Sequence, residues 1–88
     1  MKLLSDSYME YTTKDGYMAT LTEEDLHELI EYCIHKDAEA IMALMDQERA
    51  IMLKPGMRVF VLDSQDGIIK CRRKGQSLIF YTVQEAVQ

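Results

Sequence analysis

The sequence predicts an α+β domain: an N-terminal two-helix segment packed on a small C-terminal antiparallel β-barrel. Three observations predict it. Apolar residues recur at helical spacing from Leu26 to Met45, and at strand spacing beyond Ala50. After Ala50, short runs of β-formers are separated by Gly-containing turns at roughly ten-residue intervals, the pattern of a small barrel. The charge divides at the same place. Residues 1–49 carry four basic against twelve acidic side chains, net −8, and residues 50–88 carry six against three, net +3. The overall −5 conceals this asymmetry.

Each element has a local cause. Residues 1–20 read as irregular or as a short hairpin, because Lys14-Asp15-Gly16 is a turn signal among scattered Tyr, Ser and Thr. Residues 21–49 read as helical. Thr22 is an N-cap, and Glu23, Glu24 and Asp25 place anions on the first turn, where the helix dipole favours them. Leu21 is placed to staple to Leu26. Leu26, Leu29, Ile30, Cys33 and Ile34 form one apolar stripe, with Glu24, Glu28 and Glu31 on the solvated side. His35-Lys36-Asp37 interrupts the pattern. Asp37 caps a second helix from Ala38 to about Glu48, rich in Ala, Glu, Met and Leu.

Residues 50–88 read as the barrel. Lys54-Pro55-Gly56 is a turn, with Pro fixing φ and Gly supplying a positive one. Met57 to Leu62 is a strand with both faces apolar, which predicts cover on both sides, the barrel core on one and a helix on the other. Ser64 to Gly67 is a hairpin turn. Ile68 to Arg73 alternates, with Ile69 and Cys71 on one face and Ile68, Lys70 and Arg72 on the other. Lys74 to Ser77 is a second turn, Leu78 to Val83 the last long strand, and Thr82 to Val87 a closing turn with a 3₁₀ or strand piece.

At 88 residues the chain is a single domain that buries roughly 60–65% of its unfolded surface. Its 48% apolar content suffices for a core without a disulfide or metal staple. Asp6 and Glu10 interrupt the apolar start, so neither a secretion signal nor a membrane span is expected. Cys33 and Cys71 both sit in apolar patterns and are expected to be free and buried, as in a cytoplasmic protein.

Leu53-Lys54-Pro55-Gly56-Met57-Arg58-Val59-Phe60-Val61-Leu62-Asp63, then Gly67-Ile68-Ile69-Lys70-Cys71-Arg72, then Tyr81-Thr82-Val83-Gln84-Glu85-Ala86-Val87 together resemble bacterial SH3-like domains over about 35 residues. The resemblance implies an SH3-like barrel for residues 50–88. Cell-wall-binding members end in a Trp and follow a secretion signal. This chain has no Trp, so the likeness argues against a cell-wall role. The whole chain is also similar to small uncharacterised bacterial and phage proteins, which implies no function.

Chemistry-bearing residues are sparse. His27, Cys33, His35 and Cys71 match no zinc spacing. Asp63-Ser64-Gln65-Asp66-Gly67 places Gly fifth, not sixth as a calcium loop requires, with no following Glu. Neither Cys is set in a nucleophile elbow, and no glycine pattern cradles phosphate. The expectation is therefore a non-enzyme without metal or cofactor. Lys70, Arg72, Arg73 and Lys74, joined by Lys54 and Arg58 and with Tyr81 or Phe80 for stacking, form the candidate interaction patch. Two functions follow from it. The first is a protein-interaction module of phage or mobile-element origin, meeting another protein or a second copy of itself. The second is a nucleic-acid accessory protein, which the overall negative charge disfavours. Met42, Met45 and Met52 are expected in the core.

Overall fold

The computed structural model describes residues 9–88. The interrupted apolar start at residues 1–6 lies outside them. Strand β1 is Met9–Thr12 and β2 is Met18–Thr20. Helix α1, Glu23–Ile34, starts where Thr22 Oγ1 accepts from the Asp25 N–H at 3.1 Å. Leu21 is exposed rather than stapled beneath it. Lys36 turns the chain with φ +54°, and the Asp37 carboxylate caps α2, Ala38–Asp46, by accepting from the Ala40 N–H. Helix α2 stops two residues short of the expected Glu48, which itself takes φ +59°. Four strands then follow: β3 Ala50–Met52, β4 Arg58–Gln65, β5 Ile68–Arg73 and β6 Ile79–Val83. A 3₁₀ turn, Gln84–Ala86, follows β6.

All six strands join one antiparallel sheet in the order β1-β4-β5-β6-β2-β3. The β4–β5 hairpin turns at Asp66-Gly67, both with positive φ, as a twist-matched two-residue turn requires. Strand β4 carries one extra residue, Leu62, between the pairs Val61–Cys71 and Asp63–Lys70. This bulge moves the following residues across the sheet.

The expected closed, SH3-like barrel does not form. The sheet is open, with β1 at one end and β3 at the other. Two local facts account for this. Residues 9–20 are neither irregular nor a hairpin of their own: β1 pairs with β4, while β2 pairs with β6 and β3. Closure would also require β1 to pair with β3. Instead the last residue of β1 exchanges two hydrogen bonds with Gln88, at 2.8 and 2.9 Å, beside a single bridge between Thr13 and Val87. The helices, moreover, are inserted between β2 and β3 rather than preceding the sheet.

The open sheet is nevertheless strongly curled. In a flat sheet β3 and β4 would lie about 19 Å apart, four strand spacings, yet a turning five-residue link, Leu53 to Met57, joins them. The concave face holds a core of Ala19, Leu53, Val59, Ile69, Cys71, Phe80, Ala86 and Val87, with no residue of α1 or α2 among them. The convex face carries the helices through a second cluster, Leu26, Leu29, Leu44 and Ala50, against Met18, Ile68 and Tyr81. Phe60 and Arg72 lie beyond this helix cover. The expectation that both faces of β4 are covered therefore holds only for the Val59–Val61 face.

Buried threonines tie the layers together. Thr13 Oγ1 donates to the Lys54 carbonyl at 2.7 Å and accepts from the Met57 N–H at 2.9 Å. Thr82 Oγ1 donates to the Met18 carbonyl, and Thr20 Oγ1 to the Thr22 carbonyl, each at 2.7 Å. No buried side-chain polar atom among the described residues lacks a partner. No helix among them is long and apolar enough to cross a membrane.

Candidate interaction surfaces

The alternation of β4 and β5 puts Phe60 and Arg72 opposite one another on the convex face. The Arg72 guanidinium lies 5.0 Å from the Phe60 ring centroid, within cation–π range, and donates to the Gln76 carbonyl at 2.9 Å. Arg58 Nη1 and Lys74 Nζ each reach the Glu10 carboxylate at 3.3 Å, Glu10 being the residue opposite Phe60 on β1. Arg58, Arg72 and Lys74 therefore do converge, but around an acid, an aromatic ring and a carbonyl of their own chain. Arg73 is exposed at the end of β5. Lys70 and Tyr81 are cross-strand neighbours, half-buried beside Glu23 where α1 begins. Tyr81 packs under the helices and Phe80 lies in the concave core, so neither offers a face for stacking.

The expected pair of buried thiols is corrected to one. Cys71 is fully enclosed, and burial pushes its thiol up to about 12. Cys33 is exposed in the last turn of α1. His27 and His35 are also exposed, each 3.4 Å from the glutamate one turn before it, Glu23 and Glu31. No three His, Cys, Asp or Glu among the described residues are grouped to hold a metal ion. The methionine expectation is overturned as well: Met42 is 61% exposed and Met52 57%, and Met45 is also exposed.

Four of the five acids of α1 fall on two sides of the helix, Glu24 standing apart. On one side Arg49, from the α2–β3 link, donates through Nε and Nη2 to Asp25 at 3.1 and 2.7 Å and through Nη2 to Glu28 at 2.8 Å. The Arg49 hydrogen bonds hold the Asp25 carboxyl below its ordinary value. Glu28 also accepts from the Tyr32 hydroxyl at 2.7 Å, which raises the Tyr32 pKa. On the other side Glu23, His27 and Glu31 flank Ile30 and Ile34 at helical spacing, with no Lys or Arg on the helix.

Beside that flank lies a groove of about 420 Å³. Ile30, Cys33 and Ile34 of α1 form one wall, and Tyr17, Met18 and Val83 of the sheet form the other. Ile34 is 66% exposed at its rim. The sequence shows this stripe but not its fate. Only Leu26 and Leu29 of the five apolar positions are buried; the C-terminal three are left to the groove.

No family model matches the chain, and neither the curated proteins nor the solved structures compared with it give a match.

Proposed function

We propose that the chain is a non-catalytic protein-interaction module whose groove between α1 and the β2–β6 end of the sheet receives the apolar face of a basic amphipathic segment. The carrying observation is the groove itself: an apolar trough with exposed Ile34 and Cys33 on one lip, formed by a helix whose adjoining flank carries Glu23 and Glu31. Its volume lies within the range of sites that enclose a ligand or an anchoring side chain, and an i, i+3, i+4 pattern of apolar anchors fits such a trough. The acidic flank selects lysine or arginine on the rim of the incoming segment. The exposed methionines of α2 add adaptable surface.

The cationic strand-turn supports a nucleic-acid reading less well. Arg58, Arg72 and Lys74 already have partners within the chain, and Glu10 lies in their midst.

Fluorescence titration tests the proposal with two synthetic helices about five turns long, one of Leu and Lys, the other its Leu and Glu twin. The Lys peptide binds, and binding weakens as salt is raised. Ile34→Ser in the protein removes apolar contact worth about 1.5–3 kcal/mol without adding charge, so affinity falls roughly 10- to 100-fold. Equal binding of both peptides, or indifference to Ile34→Ser, refutes the groove. Salt-steep binding of DNA in place of the Lys peptide transfers the function to the cationic strand-turn.

A further inference from the structure

The two ends of the sheet are finished differently. At β1 the outer flank is closed at Thr12 by Gln88 and carries the charge of Glu10. Among the described residues strand β3 has no such guard: Ala50, Ile51 and Met52 contain no charge, proline or bulge, the devices that usually protect a sheet edge. Ile51 and Met52 are exposed, as is Leu78, which shares with Ile51 a hollow of about 130 Å³ floored by Leu53 and Phe80.

The backbone register fixes which groups face outward. Leu53 donates its N–H to the Tyr17 carbonyl at 2.9 Å, and Ile51 lies across from Ala19. In an antiparallel ladder the hydrogen-bonding residues alternate. Leu53 and Ile51 therefore aim their amides and carbonyls at β2, and Ala50 and Met52 aim theirs away from it.

We infer that β3 pairs antiparallel with β3 of a second copy of this chain, about a two-fold axis through Ile51. This register is self-complementary. Ala50 of one copy meets Met52 of the other twice, and these are the residues whose backbone groups face outward. Ile51 meets its own counterpart as the non-hydrogen-bonded pair, whose side chains approach most closely. Just past the ladder, Glu48 of each copy faces Lys54 of the other, an opposite-charge pair at both ends. The two hollows beside Leu78 then share one apolar floor. Three residues make a short ladder, so the dimer is weak and concentration-dependent. The groove shares no lining residue with this edge, so either proposal can fail alone.

Site-directed cross-linking tests it in a Cys33→Ser background. In the paired state the two Ile51 Cα atoms lie about 4.5 Å apart, within disulfide range. The two Met52 Cα atoms lie about 8 Å apart, beyond it. Ile51→Cys treated with oxidised glutathione gives covalent dimer as each thiol loses its proton and the pair passes two electrons to the oxidant. Met52→Cys gives at least about tenfold less. The unmodified chain shows a rising mass on sedimentation as concentration approaches about 1 mM. Ile51→Lys abolishes that rise with its thermal melt retained. Equal cross-linking at both positions, or a monomeric mass throughout, overturns the inference even if Ile51→Lys fails to fold.

Discussion

Replacing Thr13 by Val isolates one hydroxyl that staples two loops. Thr13 is 2% exposed, at the exit of β1. Its hydroxyl bonds the carbonyl of Lys54 and the amide of Met57, both in the β3–β4 link. The backbone of Thr13 also bonds that link, through its N–H to the Met57 carbonyl and through its carbonyl to the Gly56 N–H. Val keeps the shape and both backbone bonds but removes the hydroxyl. Each lost bond is worth about 0.5–1.5 kcal/mol, and each partner left dry adds to the penalty. Lys54 and Met57 are not fully buried, so water reaches part of the gap, and each group left without its partner costs near the low end of about 1–3 kcal/mol. The sum is about 2–3 kcal/mol. Thr13→Ser keeps both bonds and loses one methyl, about 1 kcal/mol. Urea unfolding followed by circular dichroism measures both. In a domain of this size the Val variant melts about 10–20 °C lower than the parent and the Ser variant about 4–8 °C lower. A Val variant as stable as the parent, or a Ser variant less stable than Val, refutes the staple.

Two further outcomes follow. An aromatic disulfide reagent at pH 8 modifies one thiol per native chain and two per denatured chain. Cys33 is exposed, whereas Cys71 is buried with its thiol pushed up to about 12; two fast equivalents in the native state would contradict the enclosed Cys71. Stability also falls in acid with a contribution from Asp25. Its folded pKa lies below its unfolded value of 3.8, so this contribution is complete above that value and is lost as pH falls through the lower one. Asp25→Asn makes the acid limb of the stability curve shallower, read from thermal melts between neutral pH and pH 2; an unchanged limb counts against the Arg49 contact.

The helices were legible because their causes are local. Thr22 and Asp37 cap where the sequence places them, and Ile69 and Cys71 face inward as their alternation requires. The sheet was only half legible. The β4–β5–β6 meander is joined by short turns that the glycines mark. Strands β1 and β2 find partners tens of residues away, and nothing near Tyr11 or Met18 encodes which. Barrel closure was misread for the same reason: it depends on whether β1 meets β3, a contact no local pattern specifies. The surroundings of the cationic strand-turn were not legible, because charge is visible in a sequence and pairing is not. Glu10 stands 48 residues from Arg58 and 64 from Lys74, yet takes up both. The exposed methionines went unseen because nothing in α2 shows that only Leu44 is buried there.

The placement of β1 and β2 sets an order of events for the growing chain. Five residues separate them in sequence, yet β1 docks beside β4 while β2 docks between β6 and β3. During synthesis β1 has no partner until residue 58 is made, and β2 lacks one of its two until β6 exists. The helices and then the meander can assemble from near neighbours, within microseconds to milliseconds. β1 must therefore wait for β4, and β2, which can meet β3 first, completes its pairing only with β6. The bend from Thr13 to Tyr17 then acts as a clasp: its closing against the β3–β4 link converts a loose meander with attached helices into the folded domain.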